Sequence, residues 1–330
     1  MSGVAKTEYA KTVRSYRDLH NDDVSSVNAR KANYTTLVNQ YYDLATDFYE
    51  FGWGQSFHFF TRNRGERFKQ AIARHERFLA DTLGLDSQMC VLDIGCGVGG
   101  PMREIARYSG AAVVGINNNA YQIEKGQDAL ERQRLDSRCR FLKADFMEIP
   151  LEDESFDGAY AIEATCHAPD KTELFAEIWR LLKPGAGFVG YEWCLTPGFN
   201  ASREAHCAIK KGIEEGDGLP DIAYTHEVDQ ALCTAGFELI TAYDLAPRSE
   251  VPWWAPLAGS EWSLRSLPRR PVGRELVRRT TALLEKLKIA PQGTSEVSAM
   301  LNRAADALVA GGKSGCFTPM YFFHARKPAA

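Results

Sequence analysis

The run Val91–Pro101, VLDIGCGVGGP, constrains this chain more than any other stretch. Two apolar residues close a strand, an acid follows at Asp93, and Gly95, Gly97 and Gly99 stand at alternate positions. Glycines so spaced let the backbone turn sharply and approach a ligand that a Cβ would exclude. A glycine loop alone also suits a dinucleotide fold using GxGxxG. This loop is instead DxGxGxGG, and Lys143-Ala144-Asp145-Phe146 ends a later strand. Asp145 is expected to read an adenine amine and Phe146 to flank the ring, with Asp93 ionised beside a methionine ammonium. The arrangement points to S-adenosylmethionine, held by the loop residues Gly95, Cys96, Gly97 and Gly99.

Around the loop, helix and strand patterns alternate. A helix begins near residue 68 and leads into MCVLDIGCG; MREIARY is helical, AAVVGINN a strand, AYQIEKGQDALERQRL helical. CRFLKADF and SFDGAYAIEA are strands, TELFAEIWRLLKPG a helix with a Pro-Gly stop, and GAGFVGYEW a further strand. Such alternation predicts an α/β, doubly wound, mainly parallel sheet with right-handed crossovers. FELITAYDL and PMYFFHARK read as closing strands around an insert at about 246–317, rich in Trp, Pro and Arg. Residues 1–35 read as polar, helical and loosely attached. The expected division is an N-terminal arm and substrate cap (1–66), a cofactor-binding core (67–245) and a C-terminal region (246–330).

Composition narrows the rest. A formal net charge of -4 gives no sign of nucleic-acid binding. The eight cysteines form neither CxxC pairs nor Cys/His zinc spacing, so no metal site is expected and the thiols read as reduced. No run reaches the roughly 18 apolar residues of a spanning helix, so membrane contact would be peripheral.

The second strand ends VVGINNN, where enzymes of this fold place an acid on the ribose hydroxyls. Asn117, with Asn118 adjacent, is the candidate here, since an amide both donates and accepts. The alternative is that the Asn run is only a turn.

Taken together, GWGQSFHF (Gly52–Phe59), LDIGCGVGGP, GINNNAYQI, YAIEATCHAPD (Tyr160–Asp170), GDGLPDI (Gly216–Ile222) and FTPMYFFHARKP (Phe317–Pro328) resemble the sterol 24-C-methyltransferases from about residue 36 onward. The stretch YYDLATDFYEFGWGQSFHF resembles the branch performing the first side-chain methylation. The resemblance implies a class I S-adenosylmethionine-dependent methyltransferase, Rossmann-like, with an aromatic cap segment and a C-terminal helical insert. It implies methyl transfer to C24 of a Δ24-sterol such as cycloartenol or zymosterol, and self-association into a homo-oligomer.

Transfer to an alkene needs no prior deprotonation, because the π bond attacks the sulfonium methyl. It leaves a carbocation, a hydride shift follows, and a proton departs last. Such a site must align the alkene, stabilise a cation without quenching it, exclude water and supply a late base. Aromatic faces suit the cation, at roughly 0.5–2 kcal/mol each. Tyr41–Phe60 is dense in rings with Asp47 and Glu50 among them; the plain alternative is a buried amphipathic helix. By resemblance Tyr49 faces the cation, and Asp47 and Glu50 are candidates to orient substrate or balance charge. The stretch also resembles the distantly related cyclopropane fatty acid synthases, whose corresponding segment closes over the cofactor, which implies that Tyr42 and the Phe57–His58 backbone touch the methionine part. Glu163, in YAIEATCHAPD, is the candidate late base; its structural alternative is a cap on the following helix. His167 is a lesser candidate, and Glu192 is a candidate for the sterol 3β-hydroxyl. In the insert, Trp253, Trp254 and Trp262 with Arg265, Arg269, Arg270, Arg274, Arg278 and Arg279 suggest a docking face or, equally, a solvated cap helix. A membrane-resident substrate would place the chain peripherally at the cytosolic face of the endoplasmic reticulum or on a lipid droplet. A methyltransferase for another unsaturated lipid or a small-molecule heteroatom, and a silent sterol- or cofactor-binding protein, are the competing readings.

Overall fold

A computed structural model describes residues 3–259 and 270–329. The chain opens with α1 (Tyr9–His20), α2 (Val27–Ala32) and α3 (Tyr34–Trp53). Then come α4 (Phe68–Leu83), β1 (Cys90–Ile94), α5 (Gly100–Ser109), β2 (Ala112–Asn117), α6 (Ala120–Gln133) and β3 (Cys139–Lys143). β4 (Phe156–Ile162), α7 (Lys171–Leu181), β5 (Leu182–Leu195), α8 (Glu204–Asp217) and α9 (Thr225–Thr234) follow. β6 (Glu238–Asp244), α10 (Ala255–Ala258), α11 (Pro271–Lys286), α12 (Thr294–Ser314) and β7 (Phe317–Arg326) complete it. The expected alternation is present. Several boundaries shift by a few residues; the helix expected to run to Pro184-Gly185 stops at Leu181, because Leu182 already pairs with Phe156 in the sheet.

These elements form two compact units assembled from interleaved segments, not three consecutive ones. The first gathers residues 1–54, 196–222 and 253–317 and is helical; the second gathers 55–195, 223–252 and 318–330 and holds the sheet.

In the second unit the seven strands lie in the order β3-β2-β1-β4-β5-β7-β6. β1 to β5 are parallel, and β7 runs antiparallel to β6. Buried on both faces, the central strands read as apolar runs. Leu92, Ile94, Ile116, Ala159, Phe188 and Phe323 sit in one core with Leu174, Phe175 and Ile178 of α7.

In the helical unit, Tyr9, Val13 and Tyr16 of α1 are buried with Leu37, Tyr41 and Leu44 of α3 and Val297 of α12. The loose attachment expected for the first 35 residues is therefore wrong. Tyr9, Val13, Tyr16 and His20 recur at helical spacing, so one stripe of α1 turns inward. The Tyr16 hydroxyl also donates to the Glu215 carbonyl at 2.7 Å. In the insert, Trp253 is buried with its ring 5.9 Å from Phe317, and Arg274, Arg278 and Arg279 pair with Asp306 and Glu275. The buried Trp253 ring is not offered for docking, while Arg274, Arg278 and Arg279 are held in ion pairs with partners at the surface. Trp262, Arg265 and Arg269 lie outside the described residues.

Tyr16→Ala removes a buried ring and a hydrogen bond, so it should cost about 3 kcal/mol. Urea unfolding followed by far-UV circular dichroism reads this as a lower midpoint; an unchanged midpoint contradicts the packing of α1.

Candidate active site

Because β1 to β5 run the same way, their carboxyl ends share one edge of the sheet. The strand order reverses between β1 and β4, and open α/β sheets bind ligands at the carboxyl ends beside such a reversal. Asp93 and the glycine loop, Asn117, Asp145 and Glu163 all stand at that edge.

The loop's glycines have separate reasons. Gly95 (φ 72°) cannot carry a Cβ, which would lie 2.4 Å from Cβ of Ala164, so the turn after β4 packs against the turn after β1. At Gly100 a Cβ would meet the Gln55 carbonyl oxygen at 1.9 Å, because residues 55–61 cross over the loop. Arg103 fastens this crossing, donating to the Val98 carbonyl at 2.7 Å and to Oε1 of Gln55 at 2.6 Å. Gly97 (φ 55°) has no such neighbour within 4 Å, which leaves the loop backbone approachable on that side.

Asp93 is buried and accepts from the Tyr160 hydroxyl at 3.0 Å. Burial pushes its carboxyl up to about 7, and the tyrosine bond offsets this only in part. The acid is thus poised near neutrality, and a cation beside it would strongly favour its ionised form. Asn117 donates to the Gly97 carbonyl at 3.0 Å and to Oε1 of Gln122 at 2.9 Å, and its Oδ1 accepts from the Asn119 amide at 3.0 Å. It ties the glycine loop to the end of β2, and Asn118 beside it is half-buried. Asp145 lies just past β3 and its Oδ1 accepts from the Met147 amide at 2.9 Å, with Phe146 half-buried next to it.

Glu163 holds a left-handed backbone (φ 52°), uncommon for a residue with a Cβ. Its Oε1 accepts from the Phe59 amide at 2.7 Å and its Oε2 from the Trp193 indole at 2.8 Å. It does not cap the next helix: Asp170 does, accepting from Thr172 and Glu173. The Phe59 and Trp193 rings lie 5.9 Å apart beside it. His167 is buried in the short 3-10 turn that follows. Glu192 cannot serve a sterol hydroxyl, since it is fully buried, ion-paired with Lys171 at 3.3 Å and bonded to the Thr165 hydroxyl and the Trp193 amide.

Comparison with known proteins places this geometry. Residues 92–189 match the family model described as methyltransferase domain, and residues 265–329 the one described as sterol methyltransferase C-terminal. A cycloartenol-C-24-methyltransferase of Arabidopsis thaliana is 50% identical over 98% of this chain and 97% of its own length. A sterol 24-C-methyltransferase of Saccharomyces cerevisiae is 44% identical over 93% and 82%. The chain belongs to the sterol 24-C-methyltransferase family. It has the α/β fold of S-adenosylmethionine-dependent methyltransferases. A cyclopropane synthase from Mycobacterium tuberculosis matches that fold at TM-score 0.71, with 18% identity over 89% of this chain and 98% of that one. A geranyl diphosphate C-methyltransferase from Streptomyces coelicolor, solved with S-adenosyl-L-homocysteine, matches at 0.62, with 18% identity over 89% and 97%.

The aromatic stretch shared with this family divides between the two units. Gln55–Thr61 belongs to the sheet unit, where His58 is buried, bonded to the Phe59 carbonyl at 2.7 Å and paired with Glu76 at 3.1 Å, and Phe57 is half-buried. Burial opposes the charged ring, but the Glu76 carboxylate outweighs it and raises His58 above the usual histidine range. Tyr41–Trp53 belongs to the helical unit. There the Tyr49 and Tyr41 hydroxyls share a hydrogen bond of 2.7 Å, and Tyr49 donates to Asp217 at 3.0 Å. Tyr42 packs edge-on against Tyr41, ring centroids 5.1 Å apart. Asp47 lines a cavity of about 770 Å³ with Phe48 and Phe51, and Glu50 is half-buried nearby on α3.

Three groups escaped the sequence reading. Trp193 was visible only as the end of GYEW, and nothing local marks it as the partner of Glu163. The His58–Glu76 pair joins residues 18 apart, within no recognisable spacing. Asp217 stood in plain view in GDGLPDI; burial pushes its carboxyl up to about 7, and its Oδ2 has no hydrogen-bond partner among the described residues.

If Asp93 takes the cofactor's ammonium, only its ionised form binds well. The sign follows: below about pH 7 the folded protein must lose a proton on binding, so affinity rises with pH. Calorimetry with S-adenosylhomocysteine should show about a tenfold gain from pH 6 to pH 8, absent in Asp93→Asn. A flat profile in the unaltered protein, or an unchanged slope in the variant, contradicts the pairing.

Proposed function

We propose that this chain transfers the methyl of S-adenosylmethionine to C24 of a Δ24-sterol such as cycloartenol or zymosterol. The near-full-length likeness to enzymes named for that reaction carries the reading. When bound, S-adenosylmethionine supplies an electrophilic sulfonium methyl. We assign its ammonium to Asp93 and its methionine part to the backbone of Gly95, Cys96, Gly97 and Gly99, with Tyr42 and Phe57 as further contacts. Asn117 positions the loop and keeps a second lone pair on Oδ1 for a ribose hydroxyl, alongside Asn118. Asp145 and Phe146 take the adenine. Gly97 supports this assignment, because the loop there is open to a ligand's approach.

On the sterol side, Glu163 is assigned as the acceptor of the late proton. Two N–H donors hold its oxygens in place while the Phe59 and Trp193 rings keep its surroundings apolar, so water is not at hand to quench a cation. His167, directly after it in the chain, is a secondary proton carrier. Tyr49 is assigned to face the cation, with Asp47 and Glu50 balancing charge. Burial holds the Tyr49 phenol far above its ordinary range, so it stays neutral and presents a ring rather than a charge.

No helix among the described residues is long and apolar enough to cross a membrane. We further propose peripheral attachment at the cytosolic face of the endoplasmic reticulum or on a lipid droplet, where sterols reside, with self-association of the chain.

Radiolabelled S-adenosylmethionine offered with Δ24-sterols, their side-chain-reduced counterparts and unsaturated phospholipids tests the reading. Label should enter only the Δ24-sterols. Equal label in phospholipid, or cofactor binding without any transfer, contradicts it.

A further inference from the structure

We propose that the outer face of α11, continued by Ile289 and Phe51, is the surface on which the protein docks to an anionic lipid bilayer. The inference deepens the peripheral attachment proposed above and rests on that reading. It rests on an exposed apolar stripe and two lysines that the sequence reading did not single out, with the tryptophans left aside.

α11 is oriented against the usual rule. Its one buried residue is Gly273, while Val272, Leu276, Leu283, Leu287 and the following Ile289 are each 57–77% exposed. At about 100° per residue, positions 272, 276, 283 and 287 fall within an arc of roughly 60°. The opposite side of the helix is occupied, since Arg274 donates to the Asn302 carbonyl at 2.8 Å and pairs with Asp306 at 2.6 Å on α12. Ten large hydrophobic residues are exposed among the described residues, and half of them lie between 272 and 289. That density makes a patch rather than the usual scatter.

Charge decides what covers it. Between residues 271 and 290 there are five basic and two acidic side chains, in a chain of formal net charge -4. Arg278 and Arg279 pair with Glu275, but Lys286 and Lys288 make no ion pair among the described residues and alternate with Leu287 and Ile289. Lysine stems can lie along an apolar surface with their heads among phosphates, the pattern of an interfacial helix. A second copy fits worse: a two-fold contact through this stripe would bring the same lysines face to face.

The patch also borders an apolar hollow. Val277 and Ile289, with Leu44, Phe48, Phe51 and Tyr9, line the cavity of about 770 Å³ already described, and Phe51 is 67% exposed at it. That volume lies within the roughly 300–1,000 Å³ of small-molecule sites. A face set on a bilayer would give this hollow direct access to lipid, whereas a protein partner would gain nothing from it.

The test is co-sedimentation with vesicles of phosphatidylcholine alone or with a quarter phosphatidylserine. The full chain should bind the anionic vesicles. L276Q/L283Q/L287Q should bind both kinds at least tenfold less, and K286Q/K288Q about tenfold less on the anionic kind only. All these side chains are exposed, so melting temperature and S-adenosylhomocysteine affinity should not move. Three results would overturn the proposal: no binding by the unaltered chain, equal binding by the leucine variant, or a sedimentation equilibrium showing a dimer that this variant splits. Methyl transfer to sterol dispersed in detergent reads the functional proposal separately. The leucine variant losing vesicle binding but not detergent activity supports docking, and vesicle binding without any transfer overturns only the assigned reaction.

Discussion

One carboxylate, Glu163, joins three parts of the sheet unit that are far apart in sequence. Through Oε1 it holds the backbone of residues 55–61 at Phe59; through Oε2 it holds the Trp193 indole at the end of β5; and its own left-handed turn follows β4. A buried carboxylate is costly unless its oxygens are satisfied, and here two N–H donors satisfy them. The crossing segment is thereby fixed over the glycine loop, which in turn excludes any side chain at Gly100 and recruits Arg103 to Gln55.

Glycine explains why the pieces fit so closely. Gly95 lets the turn carrying Ala164 press against the loop, so the residue after β4 and the residues after β1 share one edge. The family's cofactor needs the loop backbone on one side and an anion at its base. We assign the second need to Asp93, whose carboxyl burial raises to about 7, where a bound cation would tip it to the ionised form.

Much of this was legible in the chain. The parallel sheet followed from alternating periodicities, and the loop from three glycines and an acid. The rest was hidden for physical reasons. Gly100 reads as one more glycine in GVGG, and its cause is a carbonyl 45 residues upstream, which no local pattern encodes. Asn117 looked like a substitute for an acid, but most of its amide capacity is spent on Gly97, Gln122 and Asn119. Glu192 looked available because a strand end is a common place for a binding acid, and Lys171 claims it instead. The first helix was misjudged by its many charges, although Tyr9, Val13 and Tyr16 already stood at helical spacing.

Glu163 either does chemistry or only fastens the crossing segment. Single-turnover kinetics of Glu163→Gln on a Δ24-sterol, with cofactor affinity and melting temperature measured on the same sample, separates the two. A base at this position predicts a rate at least 100-fold lower, the usual scale for losing a positioned base, with cofactor affinity within about threefold. A variant that turns over at the original rate and only melts earlier would show that the carboxylate is a fastener and nothing more.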